Sequence, residues 1–133
     1  MSAAPLDFDP AEVFDLFAMR EVDSQSFDSV VVSAAGADLR CVFLWGKNCY
    51  NCNLFKNTAL LLQDQLKTLN LSWYHADVYQ DQPLGRRFGL HGVPAFVFFR
   101  SGKRLGRISG WPGWPQFSAA IARLHAQNAE KTG

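Results

Sequence analysis

Residues 39–45 read Leu-Arg-Cys-Val-Phe-Leu-Trp, an apolar run broken only by Arg40. A short run of this kind, bounded by Gly36 and Gly46, is expected to be a strand buried inside a sheet. Gly46-Lys47-Asn48 ends it, and a helical pattern begins at once. That helix is expected from about Cys49 to Leu69, with Leu54, Phe55, Leu61, Leu62 and Leu66 as its apolar stripe. A buried strand running directly into a helix restricts the chain to architectures in which helices cover a sheet.

The flanking segments extend this pattern. Pro10 to Phe17 is expected to be a helix capped by Asp9, with Pro10 in its first turn and Glu12 completing a capping-box-like start. Val13, Phe14 and Phe17 share its inner face. Residues 20–24 suit a short edge strand, and Ser26 to Ala35 is ambiguous, because Val30-Val31-Val32 favours a strand. Leu71 to Val78 alternates Trp73, His75 and Asp77 with Tyr74, Ala76 and Val78, as a strand does. A short helix over Pro83 to Phe88 should end at Gly89. Ala95 to Phe99 is a strand, Ser101-Gly102 a turn, and residues 103–109 return to form a hairpin. Trp114-Pro115 opens a last helix with Phe117, Ile121 and Leu124 inward. With a helix in the ambiguous segment, the order β-α-β-α-β-α-β-β-α predicts an α/β fold: a central mixed sheet, parallel in its core, with helices on both faces.

The chain of 133 residues suits one domain spanning 1–133. Its 11 Phe and 4 Trp supply enough apolar surface for a core without disulfide staples. A formal net charge of +1 favours neither nucleic acid nor an anionic membrane as partner. No apolar run approaches the roughly 20 residues of a membrane span. Met1 to Asp7 lacks a basic n-region and an apolar h-region, so a cytoplasmic protein is expected, although a processed secretory chain would look the same. Cys41, Cys49 and Cys52 are too few, and odd in number, for a disulfide scaffold. In a reducing compartment a close pair is more often redox-active or metal-binding than structural.

Cys49 and Cys52 stand where the strand gives way to the helix. The first helical turn presents unpaired N–H groups and the positive end of the macrodipole. Both stabilise a thiolate, so Cys49 is expected to have a lowered pKa and to act as nucleophile. Cys52, one turn on and deeper, is placed to resolve a mixed disulfide. A structural zinc site would need a second ligand pair, which Cys41 and the scattered His75, His91 and His125 do not make, so no metal is expected. An inert core pair is disfavoured by Tyr50 and Asn51 between the cysteines.

The segment from Leu39 to about Leu124 resembles thioredoxins. The resemblance rests on Phe43-Leu44-Trp45-Gly46-Lys47-Asn48-Cys49-Tyr50-Asn51-Cys52, on Phe88-Gly89-Leu90-His91-Gly92-Val93-Pro94-Ala95-Phe96-Val97-Phe98-Phe99, and on Ser101-Gly102 and Gly110 at matching spacing. It implies a thioredoxin fold, best supported over residues 39–125, with residues 1–25 as an N-terminal extension, and a helix over the ambiguous 26–35. By the resemblance, Cys49 is the attacking and Cys52 the resolving cysteine, Trp45 packs behind the pair, and Pro94 is a cis-proline facing it. The Val93 backbone would then pair with an extended substrate, with Tyr50, Asn51, Gly92 and Trp111 around it. The implied activity is reduction of protein or peptide disulfides, with electrons from a partner reductase and no bound cofactor.

The departures are specific. Asn48 stands where the family usually has Trp, and Tyr50-Asn51 where it has Gly-Pro. Phe43 replaces the buried aspartate that assists proton transfer. His75 occupies the position of the family's lysine, with Asp77 farther along the same strand face. Either His75 or Asp77 could serve as proton acceptor for Cys52, or the two could simply hydrogen-bond each other. Asn57 replaces a kinking proline. Cys41 reads as a small buried hydrophobe. Trp111 and Trp114 are open between core anchors and a surface patch. The alternative functions are a binding or chaperone-type module with little redox turnover, and an oxidase or isomerase of an oxidising compartment.

Overall fold

The computed structural model describes residues 11–132, with the side chains of 11–127. The expected Asp9 cap and Pro10 lie outside the described residues. A short helix α1 (Glu12–Leu16) is followed by an edge strand β1 (Arg20–Glu21) and a π-helical turn (Asp28–Val32). Then come β2 (Arg40–Trp45), α2 (Tyr50–Leu61), α3 (Gln63–Lys67), β3 (Ser72–Asp77) and α4 (Gln82–Arg87). The chain closes with the hairpin β4 (Ala95–Arg100) and β5 (Lys103–Ser109), and with α5 (Trp114–Thr132).

The sheet has the order β1-β3-β2-β4-β5. β3 is parallel to both β1 and β2, while β4 is antiparallel to β2 and β5. The apolar run at 39–45 thus lies at the centre, as its composition requires. Successive side chains of β2 feed two cores. Cys41 and Phe43 join Phe55, Trp73, Phe96 and Phe117 on one face. Val42 and Leu44 join Phe27, Leu84, Val97 and Phe99 on the other. Ser101 and Gly102, with φ of 53° and 79°, form the tight turn that a twisted hairpin favours.

Two expectations need correction. The ambiguous 26–35 segment is neither a strand nor an ordinary α-helix. Ser33 N–H donates to the Asp28 carbonyl at 2.7 Å, across five residues. The wide turn points Phe27 and Val31 inward while Arg40 reaches up beneath it. The Arg40 guanidinium donates to the carbonyls of Val31 at 2.6 Å and Ala35 at 2.8 Å.

The helix expected over 49–69 is also divided, at Leu62 (φ −114°, ψ 33°). Its buried residues are Cys52, Asn53, Phe55, Lys56 and Ala59, continued by Leu66 on α3. Leu54 is 38% exposed and Leu61 is 83% exposed. Cys52, Phe55, Lys56 and Ala59 follow the three-to-four-residue helical spacing, and at about 100° per residue Leu54 and Leu61 both fall on the side opposite that stripe.

Candidate functional site

Cys49 is the N-cap of α2, with extended backbone angles, and it is preceded by Asn48 in a left-handed conformation (φ 57°). Asn tolerates that conformation better than most residues, which suits the sharp exit from β2. The Cys52 N–H donates to Cys49 Sγ at 3.1 Å, so an open helix-terminal donor is aimed at this sulfur. Cys49 is half-buried, and Cys52 is fully buried among Phe43, Phe55 and their neighbours. The two form a disulfide with Cα atoms 5.2 Å apart.

Facing the pair is the loop before β4. The Val93–Pro94 bond is cis, and the Val93 carbonyl oxygen lies 3.4 Å from Cys49 Sγ. Pro94 is buried, Val93 half-buried, and Gly92 and His91 exposed. On the outer side, Tyr50 and Asn51 of the first turn of α2 are exposed.

Behind the disulfide lies an aromatic group with two basic side chains. Trp45 Nε1–H donates to His75 Nδ1 at 3.1 Å, which leaves the imidazole proton on Nε2. Phe14 stacks on His75 with ring centroids 3.8 Å apart. Lys56 Nζ sits 4.4 Å from the Trp45 ring centroid and 5.1 Å from that of Phe14, and the residue is only 1% exposed. Burial, and then the Lys56 charge, push the His75 pKa down to about 4. The residue stays neutral at ordinary pH.

A family model described as Thioredoxin matches residues 18–123. The chain belongs to the thioredoxin family. Among relatives, it is 21% identical over 85 residues to a thioredoxin of Malassezia sympodialis, covering 64% of this chain and 81% of that one. Among solved structures, the thioredoxin of Fasciola hepatica superposes with a TM-score of 0.66 at 20% identity, covering 79% of this chain and 98% of that one. The crystal structure of the Malassezia sympodialis thioredoxin gives 0.63 at 20% identity, covering 79% and 89%. A mutant thioredoxin from Halobacterium salinarum gives 0.61 at 21%, covering 77% and 86%. These likenesses establish the thioredoxin fold.

Within this thioredoxin-family fold, Cys49, Cys52, Val93 and Pro94 meet, with Trp45 and His75 grouped behind. Asp77 does not pair with His75. Its Oδ1 accepts the N–H groups of Tyr79 at 3.0 Å and Gln80 at 3.3 Å, closing the turn after β3. Two separate local roles therefore replace a mutual hydrogen bond between the two residues. Trp111 turns inward: its ring lies 5.0 Å from that of Phe55, 5.3 Å from Phe117 and 6.0 Å from Phe96. The ring is half-buried, so Trp111 packs one side against the aromatic core and keeps part of its surface open to solvent. Cys41 is fully buried, and burial drives its thiol pKa well up, as befits an inert core residue.

Sequence reasoning gives no site role to Phe14, Lys56 or Tyr79. Lys56 had one available signal, since it lies four residues after Cys52 and so on the same helix face. Tyr79 lies against Gly46, where any Cβ would collide with its ring. That contact joins the turn after β3 to the exit from β2, and only the fold brings them together.

Among the described residues, no helix is long and apolar enough to cross a membrane.

Proposed function

We propose that this protein is a thiol–disulfide oxidoreductase that reduces protein or peptide disulfides through Cys49 and Cys52. The observation that carries this reading is the Cys52 N–H aimed at the Sγ of a half-buried Cys49, with Cys52 itself fully buried. In the reduced protein this donor and the α2 N-terminus would stabilise a Cys49 thiolate. The apolar floor of Phe43 and Phe55 would keep Cys52 a neutral thiol.

The Cys49 thiolate attacks one sulfur of a substrate disulfide and expels the other as a thiolate. Cys52 then gives up its proton and attacks Cys49 Sγ. The second substrate thiolate leaves, and the Cys49–Cys52 disulfide forms. A partner reductase returns two electrons and two protons. An extended substrate would lie along Val93, pairing with its backbone while Pro94 holds the strand start in place. His75 is a weak candidate for the Cys52 proton acceptor: its pKa of about 4 makes it a poor base, and Nδ1 is already engaged by Trp45. Solvent water is the simpler acceptor.

The test is pH-dependent alkylation of the reduced protein, followed by turnover of an insulin-type disulfide. Cys49 should react first, with an apparent pKa below the free value of about 8.5. Cys49→Ser should abolish turnover, and Cys52→Ser should accumulate a mixed disulfide. Preferential alkylation of Cys52 would overturn the roles. Turnover no greater than that of Cys49→Ser would leave a binding module. A couple of about −270 mV would fit a reductase, and one of about −120 mV an oxidant.

A further inference from the structure

The Leu90–Val93 loop has a cleft on each side. The one toward α4 has a volume of about 290 Å³ and is walled by Val78, Tyr79, Arg86, Leu90, His91 and Val93. Tyr79, 55% exposed, is seated on the Cβ-less Gly46, so its ring forms a wall just before the Lys47-Asn48-Cys49 approach to the disulfide. Val78, Leu90 and Val93 supply an aliphatic lining. Arg86 is exposed, and its guanidinium makes no ion pair with any described residue. The neighbouring Arg87, by contrast, is paired with Asp28 at 2.7 Å. Among the described residues, no carboxylate lines this cleft.

Charge is distributed unequally along the turn that follows β3. Its other side borders a second cleft, lined by Trp45 and by the carboxylates of Glu21, Asp23, Asp77 and Asp81. A substrate segment crossing the disulfide therefore meets a cation beside Val93 and several anions beside Trp45. The Arg107 guanidinium, across the loop, is engaged by the Phe88 carbonyl and offers less to a ligand.

The geometry points to the Tyr79–Arg86 cleft as a specificity subsite for a glutamate side chain of the substrate protein, close in sequence to the cysteine being reduced. This deepens the proposed function and rests on it for the placement of a substrate strand along Val93. The two methylenes of glutamate pack on Val78, Leu90 and the Tyr79 ring, and its carboxylate meets the Arg86 fork. Lysine at the same position is repelled by Arg86 and glutamine loses the charge. The second cleft disfavours acidic residues on the opposite flank, which fixes the orientation of the bound segment.

The experiment uses a set of otherwise identical disulfide-bearing peptides. Each places Glu, Gln or Lys at one position within about three residues of the cysteine, the reach of a strand rising roughly 3.3 Å per residue. Reduction rates are measured, and the same peptides with Ser for Cys are titrated against the oxidised protein by NMR. At one position Glu should exceed Gln by about threefold to fivefold in both readouts, and the margin should shrink with salt. Arg86→Gln should erase this preference and Arg86→Glu should invert it toward Lys. Equal treatment of the three peptides, or a Glu preference that survives Arg86→Gln, overturns the subsite. If no peptide is reduced but the charge preference in binding persists, the redox reading falls and the subsite stands. Reduction without any charge preference removes the subsite and leaves the redox reading in place.

Discussion

Burial of His75 between Phe14 and Trp45, beside the Lys56 ammonium, ties the stability of the fold to acid conditions. Its folded pKa of about 4 lies below the unfolded value of 6.5. Above the unfolded value both states are neutral and the residue contributes no pH dependence. As pH falls from about 6.5 to about 4, the unfolded chain takes up a proton that the folded chain refuses, and stability drops. The loss levels off below the folded pKa, where both states are protonated. His75→Gln should remove this component, so urea unfolding across that range should show a shallower acid decline for the variant. An unchanged slope would mean that His75 titrates normally. The position of His75 on an inward strand face was legible from the alternation in β3. Its neutral state was not, because the charge on Lys56 and the ring of Phe14 arrive from other elements. The same limit applies to Asp77, whose carboxylate is taken by the backbone of the turn it begins.

At the scale of elements, the segment between β1 and β2 is held largely by one side chain. Arg40 is buried and donates to the carbonyls of Val31 and Ala35, and its Nε and Nη2 reach both carboxylate oxygens of Asp38 at 3.1 Å. The resulting hydrogen bonds hold the Asp38 pKa down to about 2. Arg40→Met keeps much of the aliphatic volume but orphans two carbonyls under the π-helical turn. We expect a loss of about 2–4 kcal/mol in chemical denaturation, with little effect on the reactivity of Cys49. A loss under about 1 kcal/mol would show that the turn satisfies its own carbonyls. An isolated Arg in an apolar strand was visible in the sequence, but its purpose depends on which backbone passes over it. The ambiguity of Val30-Val31-Val32 has the same origin: β-branched residues favour extended chain locally, and the need to bury Phe27 and Val31 together overrides that preference.

For the molecule as a whole, Trp111 joins parts that are far apart in the chain. Its ring contacts Phe55 of α2, Phe96 of β4 and Phe117 of α5. Because the ring is half-buried, Trp111→Ala should cost about 1–3 kcal/mol of unfolding free energy, less than removing a fully buried aromatic. The loss should appear as a lower denaturation midpoint by circular dichroism. A variant of unaltered stability with weakened substrate binding would return Trp111 to the docking surface.

The central strand, the helix-starting cysteine pair, the hairpin and the last helix were readable from the residues alone. Each depends on local periodicity or on turn chemistry, and such signals are complete within a few residues. The grouping of Cys49 with Val93 and Pro94 was available only through resemblance, since Cys49 and Val93 are 44 residues apart in the chain. Tertiary structure alone decided the inward turn of Trp111, the division of the long helix at Leu62, the burial of Lys56 against Trp45 and the seating of Tyr79 on Gly46. In each case the outcome depends on which atoms of a distant segment fill the space beside the residue, and the spacing of residues along one chain carries no measure of that.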